Sequence, residues 1–307
     1  MSITSLQWIK CWFVIFILQL FTPAMSSAFN YIETPTSHFV FYFHLRDKKI
    51  IEYLIENSDK IRRDIMKDLG VDFMEKTKVY LAPSFRQYQE LQPGGEVPSW
   101  SAAVAYPDLN LIIMQSPRAI KGNDIDLSKI FKHEFTHIAL GKAFRQGEQI
   151  PLWLNEGLAM YESREWDFNR VSTITRAVLT GSLIPLSEIT HLFPLEANKA
   201  ELAYSESFYL ISFLINQYGR KSFHRFLREY IEGKRLKVVL KKVYHINWEE
   251  FEEKWIHYLK VRFSWLPIVT STTTLWFLIT IAFILAYIKK KKATRLKFEQ
   301  WEREENA

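Results

Sequence analysis

Polar and apolar positions change rhythm part-way along the chain. Over residues 38–45 they alternate among β-favouring side chains, which predicts a strand. A helix is expected over 48–69, closed by Gly70, and a second strand over 77–81. Residues 102–106 and 110–114, joined by Pro107-Asp108-Leu109, read as a hairpin. Beyond it the rhythm turns helical. Leu127, Ile130, Phe131, Phe135, Ile138 and Ala139 recur at helical spacing behind the helix-start residues Asp126-Leu127-Ser128. Further helices are expected over about 155–164, 169–180, 206–217, 221–232, 236–243 and 248–261. Asn155 is a candidate cap for the first of these and Asn247 for the last, while Gly219 and Gly233 act as stops. The class this predicts is α+β: a small mixed sheet with helices, followed by a helical lobe.

Two apolar runs stand outside that rhythm. Residues 1–28 read as a secretory signal peptide: Lys10 is the only charge, an apolar run covers 11–21, and Ser26-Ser27-Ala28 offers a cleavage site. Residues 266–288 carry no charge and end on Lys289-Lys290-Lys291-Lys292, the pattern of a transmembrane helix with a basic stop. The organisation expected is a signal, a domain over 29–265, a single-pass membrane helix over 266–288 and a cytoplasmic basic tail over 289–307. The domain would then lie outside the cytoplasm, in a periplasm or at a cell surface.

Charge follows from this layout. Of the formal net charge of +6, the tail accounts for +3, so nucleic-acid binding has little support. The single cysteine, Cys11, lies in the signal run. The domain has no thiol, which excludes disulfides, cysteine catalysis and Cys-ligated metal.

The chemistry is concentrated in His133-Glu134-Phe135-Thr136-His137. On a helix, residues four apart share a face, so His133 and His137 can converge on one metal ion. Glu134 sits one position round from that face, where a carboxylate can take a proton from a water at the open position. A catalytic zinc needs a third protein ligand. Glu156, in Pro151-Leu152-Trp153-Leu154-Asn155-Glu156-Gly157 and eighteen residues beyond His137, is the candidate, with Gly157 allowing close backbone approach beside it. One Zn2+ per chain at His133, His137 and Glu156 is the expected cofactor, and hydrolysis of a peptide bond in a peptide or protein partner the expected reaction.

These two motifs resemble those of the gluzincin zinc peptidases. The stretch Ala102-Ala103-Val104-Ala105-Tyr106, then Leu111-Ile112-Ile113-Met114 running into the metal helix, is similar to the peptidase MA-like domain family, and the resemblance covers roughly residues 38–262. It implies a thermolysin-like zinc cleft between sheet and helical lobe, Glu134 as base and proton shuttle, and an edge strand on which the substrate backbone pairs. It also implies an oxyanion-stabilising Tyr or His beyond the third ligand. Tyr204 best matches that position, with His191 as runner-up. The chain departs from the pattern twice. Residues 101–106 have no acid of the kind that captures a free amine in aminopeptidases. Position 160, where some gluzincins orient a metal-bound His with an acid, holds Met160. The alternative reading is a membrane-anchored, catalytically inactive peptide-binding or assembly module on a peptidase fold. Zinc hydrolysis of a non-peptide bond is a third.

Overall fold

The computed structural model describes residues 31–98, 101–120, 125–144, 150–194, 196–264 and 272–305. The described residues fall into two compact units: those up to Ile61 with Met74–Ser128, and Arg62–Phe73 with those from Lys129 onward.

The first unit is built on five strands: β1 (Tyr31–Pro35), β2 (Phe39–His44), β3 (Thr77–Ala82), β4 (Ala103–Tyr106) and β5 (Leu111–Gln115). Their order is β1-β2-β3-β5-β4, with the outer pairs antiparallel and the two inner pairings parallel. The alternation anticipated over 38–45 is present, with Phe39, Phe41 and Phe43 buried and the residues between them half-exposed. The expected hairpin is β4 and β5, and the turn between them ends on Asn110 in the left-handed region at φ 50°. Its side chain explains that conformation: Asn110 Oδ1 accepts from Thr77 Oγ1 at 2.9 Å and Nδ2 donates to the Lys76 carbonyl at 3.1 Å, fastening the hairpin to the start of β3. The helix α1 (Lys48–Leu69) ends at Gly70, φ 69°, as its sequence foretold. β1 and the short helix α2 (Phe85–Glu90) were not foreseen. β1 is an edge strand ending in Pro35, where proline costs no ladder bond.

The second unit is helical: α3 (Leu127–Ala143, its first residues in the other unit), α4 (Leu152–Ser163), α5 (Phe168–Thr180), α6 (Glu188–His191), α7 (Ala197–Ile231), α8 (Leu236–Tyr244), α9 (Trp248–Phe263) and α10 (Thr272–Glu305). The helices expected over 206–217 and 221–232 are two parts of α7, which starts earlier than anticipated. Gly219 interrupts it with non-helical backbone, φ 80° and ψ 155°. Asn247 caps α9 in a full capping box with Glu250.

Two expectations about the ends of the chain are corrected or fall away. Among the described residues, no helix is long and apolar enough to cross a membrane. The expected span over 266–288 therefore does not stand. The described helix α10 begins at Thr272, so its uncharged part, up to Ile288, is shorter than the roughly 20 residues a span requires. It then continues without a break through the lysine run to Glu305. The single-pass topology is corrected with it, as are the placing of the domain outside the cytoplasm and of the tail inside, both of which rested on that span. The start of the expected span and the signal peptide proposed over 1–28 lie outside the described residues.

Candidate metal centre

Two helices of the second unit carry the donor set. α3 turns Phe131, Phe135, Ile138 and Ala139 fully into the core, which leaves His133 and His137 together on its flank, ring centroids 4.9 Å apart and planes at 74°. α4 supplies Glu156. Its Oε2 lies 3.7 Å from His133 Nε2 and 3.9 Å from His137 Nε2. Ligand atoms of the three residues all lie within 4.8 Å of one another. Such separations are too long for hydrogen bonds. They approach the ~3.3 Å expected between donors sharing a tetrahedral zinc at about 2.0–2.1 Å. Two imidazole nitrogens and one carboxylate oxygen are a donor set suited to a cation, and the residues present fit zinc. All three donors belong to the helical unit.

A glycine sets the depth at which α4 sits. A Cβ on Gly157 would lie 2.4 Å from the Ser207 carbonyl oxygen and 2.8 Å from Ile211 Cγ1. The backbones of α4 and α7 therefore touch beside Glu156, and only glycine allows it. The close approach foreseen at Gly157 is real, and its counterpart is the α7 backbone.

The far nitrogen of each imidazole is also engaged, which aims the near one at Glu156. His137 Nδ1 lies 3.0 Å from Asn155 Oδ1. Asn155 is thus no cap: α4 begins three residues earlier, behind Pro151, and places Asn155 inside the helix beside Glu156. His133 Nδ1 lies 2.7 Å from Glu165 Oε1. Glu165 reaches it because Arg164 ends α4 in the left-handed conformation, φ 58°, and the Glu165 amide turns back to the Met160 carbonyl at 2.9 Å. Ser163 Oγ donates to the same Glu165 oxygen at 2.8 Å, and Arg170 approaches the other at 3.3 Å. Arg170 also contacts Met160 Sδ at 3.0 Å. The position left without an acid thus steadies the arginine that holds one further along.

Sequence reasoning missed Glu165. The available signal was an acid just past a helix C-terminus, where the helix dipole disfavours negative charge unless something else holds it.

The electrostatics follow from these contacts. Burial raises the Glu165 carboxyl, but the hydrogen bond and charge of His133, the Ser163 hydroxyl and Arg170 outweigh it and hold the group at about 2. Burial lowers the His133 imidazole, yet the Glu165 hydrogen bond and the charges of Glu134, Glu165 and Glu156 carry it up to about 9. Three carboxylates around one imidazole make a place for positive charge, which a proton or a metal ion can supply. Glu134 is buried, and burial, with Glu156 and Glu165 adding to it, pushes its carboxyl up against the lowering influence of His133 and His137.

Tyr204 lies in the first turns of α7, half-buried and edge-on to Phe193 with centroids 4.9 Å apart. Burial first, then the nearby charge of Glu156, raises its phenol above the ordinary value. His191 ends α6 and lines a cavity with the start of α8.

Residues 59–261 match the family model of the Peptidase MA superfamily, well over half of the chain. The chain belongs to that superfamily. The resemblance carried by His133-Glu134-Phe135-Thr136-His137 and the Glu156 motif is therefore borne out. A search of curated proteins found no match. Among solved structures, the chain is similar to an M1 zinc metallopeptidase from Deinococcus radiodurans, at 16% identity and TM-score 0.45, covering 74% of this chain and 51% of that one. It is also similar to leukotriene A4 hydrolase from Saccharomyces cerevisiae, at 15% identity and TM-score 0.43, covering 73% of this chain and 39% of that one. The chain spans about half the length of the first and less of the second.

Proposed function

We propose that the protein is a zinc-dependent peptidase whose metal is held by His133, His137 and Glu156. The observation that supports this most is the convergence of those three donors with the far nitrogen of each imidazole already engaged. When bound, zinc acidifies a water and polarises the scissile carbonyl.

The remaining work falls to the chain's own side chains. Glu134 takes the proton of the attacking water and later gives it to the leaving amine. Its buried position and neighbouring carboxylates favour holding that proton between the two steps. Glu165 and Asn155 keep the imidazoles oriented. Tyr204 donates its phenolic hydrogen bond to the oxyanion. Its raised pKa keeps the phenol protonated across the neutral range.

The test combines metal content and turnover on the full chain. Wild type should carry about one zinc per chain, as a catalytic site of this kind binds one ion, and Glu156→Ala should carry none. Glu134→Gln should keep the metal and lose hydrolysis of a mixed peptide library. Hydrolysis retained by Glu134→Gln would remove Glu134 as base, and wild type that takes up no zinc would overturn the reading.

A further inference from the structure

Glu206 has no part in the metal centre, yet it is fully buried on α7, between two further buried residues, Ser205 and Ser207. Burying a carboxyl is costly unless its oxygens are hydrogen-bonded, and an apolar side chain would fill the space at less cost. What the carboxyl does there is hold a backbone group: Glu206 Oε1 accepts from the Ile184 amide at 2.9 Å. Burial outweighs the lowering effect of that amide and carries the carboxyl up to about 8. The group is therefore protonated at neutral pH and serves as a neutral acceptor.

Ile184 belongs to the segment that links α5 to α7. The segment leaves α5 at Gly181, whose left-handed φ of 66° turns the chain. A second carboxylate, Glu252 of α9, accepts from the Leu186 amide at 3.1 Å. Leu186 and Ile189 are buried, and Thr190 Oγ1 donates to the Leu186 carbonyl at 2.6 Å. The helix α6 within the segment is a single turn, too short to hold a position unaided. Two residues beyond it, Phe193 meets the Tyr204 ring edge-on, with centroids 4.9 Å apart. Tyr204 and Glu206 are two residues apart on α7, so their side chains leave that helix about 200° apart. The segment thus touches α7 on opposite flanks, through Ile184 and through Phe193. Glu252 ties it to α9, whereas Glu206 ties it to the same helix that carries Tyr204.

We propose that Glu206 is a positioning residue for Tyr204: its bond to Ile184 registers the segment against α7, so that Phe193 fixes the tilt of the phenol ring. Its catalytic value rests on Tyr204 being the oxyanion donor, and it supplies the device that aims that donor. A misplacement of about 1 Å in such a group is enough to cost about 100-fold in rate.

Two readouts on the full chain need no turnover. Hydrogen exchange followed by mass spectrometry reports the amides of residues 182–194. Fluorine NMR of protein labelled with 3-fluorotyrosine reports Tyr204, whose resonance is the one lost in Tyr204→Phe. Glu206→Leu should speed exchange around Ile184 by about ten-fold, the effect of removing a hydrogen bond to a buried partner, and shift the Tyr204 resonance. Glu206→Met, unbranched and adaptable, serves in the same test where Leu does not fold. Glu206→Gln keeps a neutral acceptor and should restore both signals to their wild-type values. Phe193→Ala, at a half-buried position, should move the resonance while Ile184 stays protected. With a single peptide that wild type cleaves, Glu206→Leu should lower kcat by about ten-fold and leave KM little changed. Unchanged exchange in Glu206→Leu, or faster exchange with an unmoved Tyr204 resonance, would overturn the proposal. An unmoved resonance in Phe193→Ala would overturn it as well, without any change at the buried carboxyl. A wild type that cleaves no peptide counts against Tyr204 as oxyanion donor, and exchange and fluorine NMR then still decide whether Glu206 positions it.

Discussion

The two imidazoles of the metal centre are supported in different ways. His137 leans on Asn155, a neutral amide adjacent in sequence to the third ligand and fixed by the same helix. His133 leans on Glu165, a carboxylate beyond the end of that helix, itself held by Ser163 and Arg170. One arm is short and neutral. The other is longer, charged and dependent on a turn. The difference teaches that a two-histidine site can take its orientation from local geometry on one side and its charge balance from tertiary contacts on the other. Glu165 lowers the positive field that a cation would bring to His133, which Asn155 cannot do for His137.

The largest effect should fall on both arms alike. Gly157→Ala forces the α4 backbone away from Ser207 and shifts Glu156 relative to both imidazoles. It should cost about 3 kcal/mol in denaturant unfolding, the upper range for overpacking a filled site, and weaken zinc binding as well. Unchanged stability would mean that the α4–α7 contact yields easily.

The arms should separate next. Glu165→Ala should lower zinc affinity by roughly 100-fold and Asn155→Ala by roughly 10-fold, the two ends of the range for residues that orient metal ligands. Competition with a chelator of known affinity measures both, and equal losses would erase the distinction between the arms. Arg170→Leu leaves Glu165 in place without its cation and should cost less than Glu165→Ala in the same assay.

The smallest effect concerns pH in metal-free protein. His133 has its folded value raised from 6.5 to about 9. The stability it contributes is therefore fully present below 6.5 and lost as pH rises through about 9. Glu165 is lowered from 4.5 to about 2. Its contribution is present above 4.5 and lost as pH falls through about 2. The stability gap between wild type and Glu165→Gln should thus be widest between pH 4.5 and 6.5 and narrow on either side. A gap independent of pH, in urea unfolding with chelator present, would show that the pair contributes by packing alone.

Much of this was legible in the residues. The alternating phenylalanines of β2, the Gly70 stop of α1 and the Asn247 cap of α9 are local signals that tertiary structure left intact. His133 and His137 could be paired in advance because helical periodicity puts residues four apart on one face, whereas Glu156 followed from the need for a third ligand and from its motif and spacing. What could not be read depends on distant partners. Asn155 has the side chain of a cap, and only the start of α4 at Leu152 turns it into a support for His137. Glu165 depends on a left-handed Arg164, a conformation that a non-glycine residue seldom advertises. The break within α7 at Gly219 is the stop its glycine signalled, and only the earlier start of that helix, at Ala197, escaped the local pattern. The uncharged run before Lys289 had the composition of a membrane span, but the described helix carries too little of it.

The left-handed turn at Arg164 has a consequence for how this centre can change over time. Asn155, Glu156 and Glu165 all come from one short stretch of chain, so three of the groups around the two imidazoles are counted off by a single helix and its exit. One inserted residue within α4 after Glu156 would rotate everything beyond it by about 100° and advance it by about 1.5 Å, and Glu165 would miss His133 while Glu156 stayed put. The length of this segment is therefore as much a part of the site as the identity of its side chains. Point substitution can tune the centre, whereas insertion or deletion there would dismantle half of it.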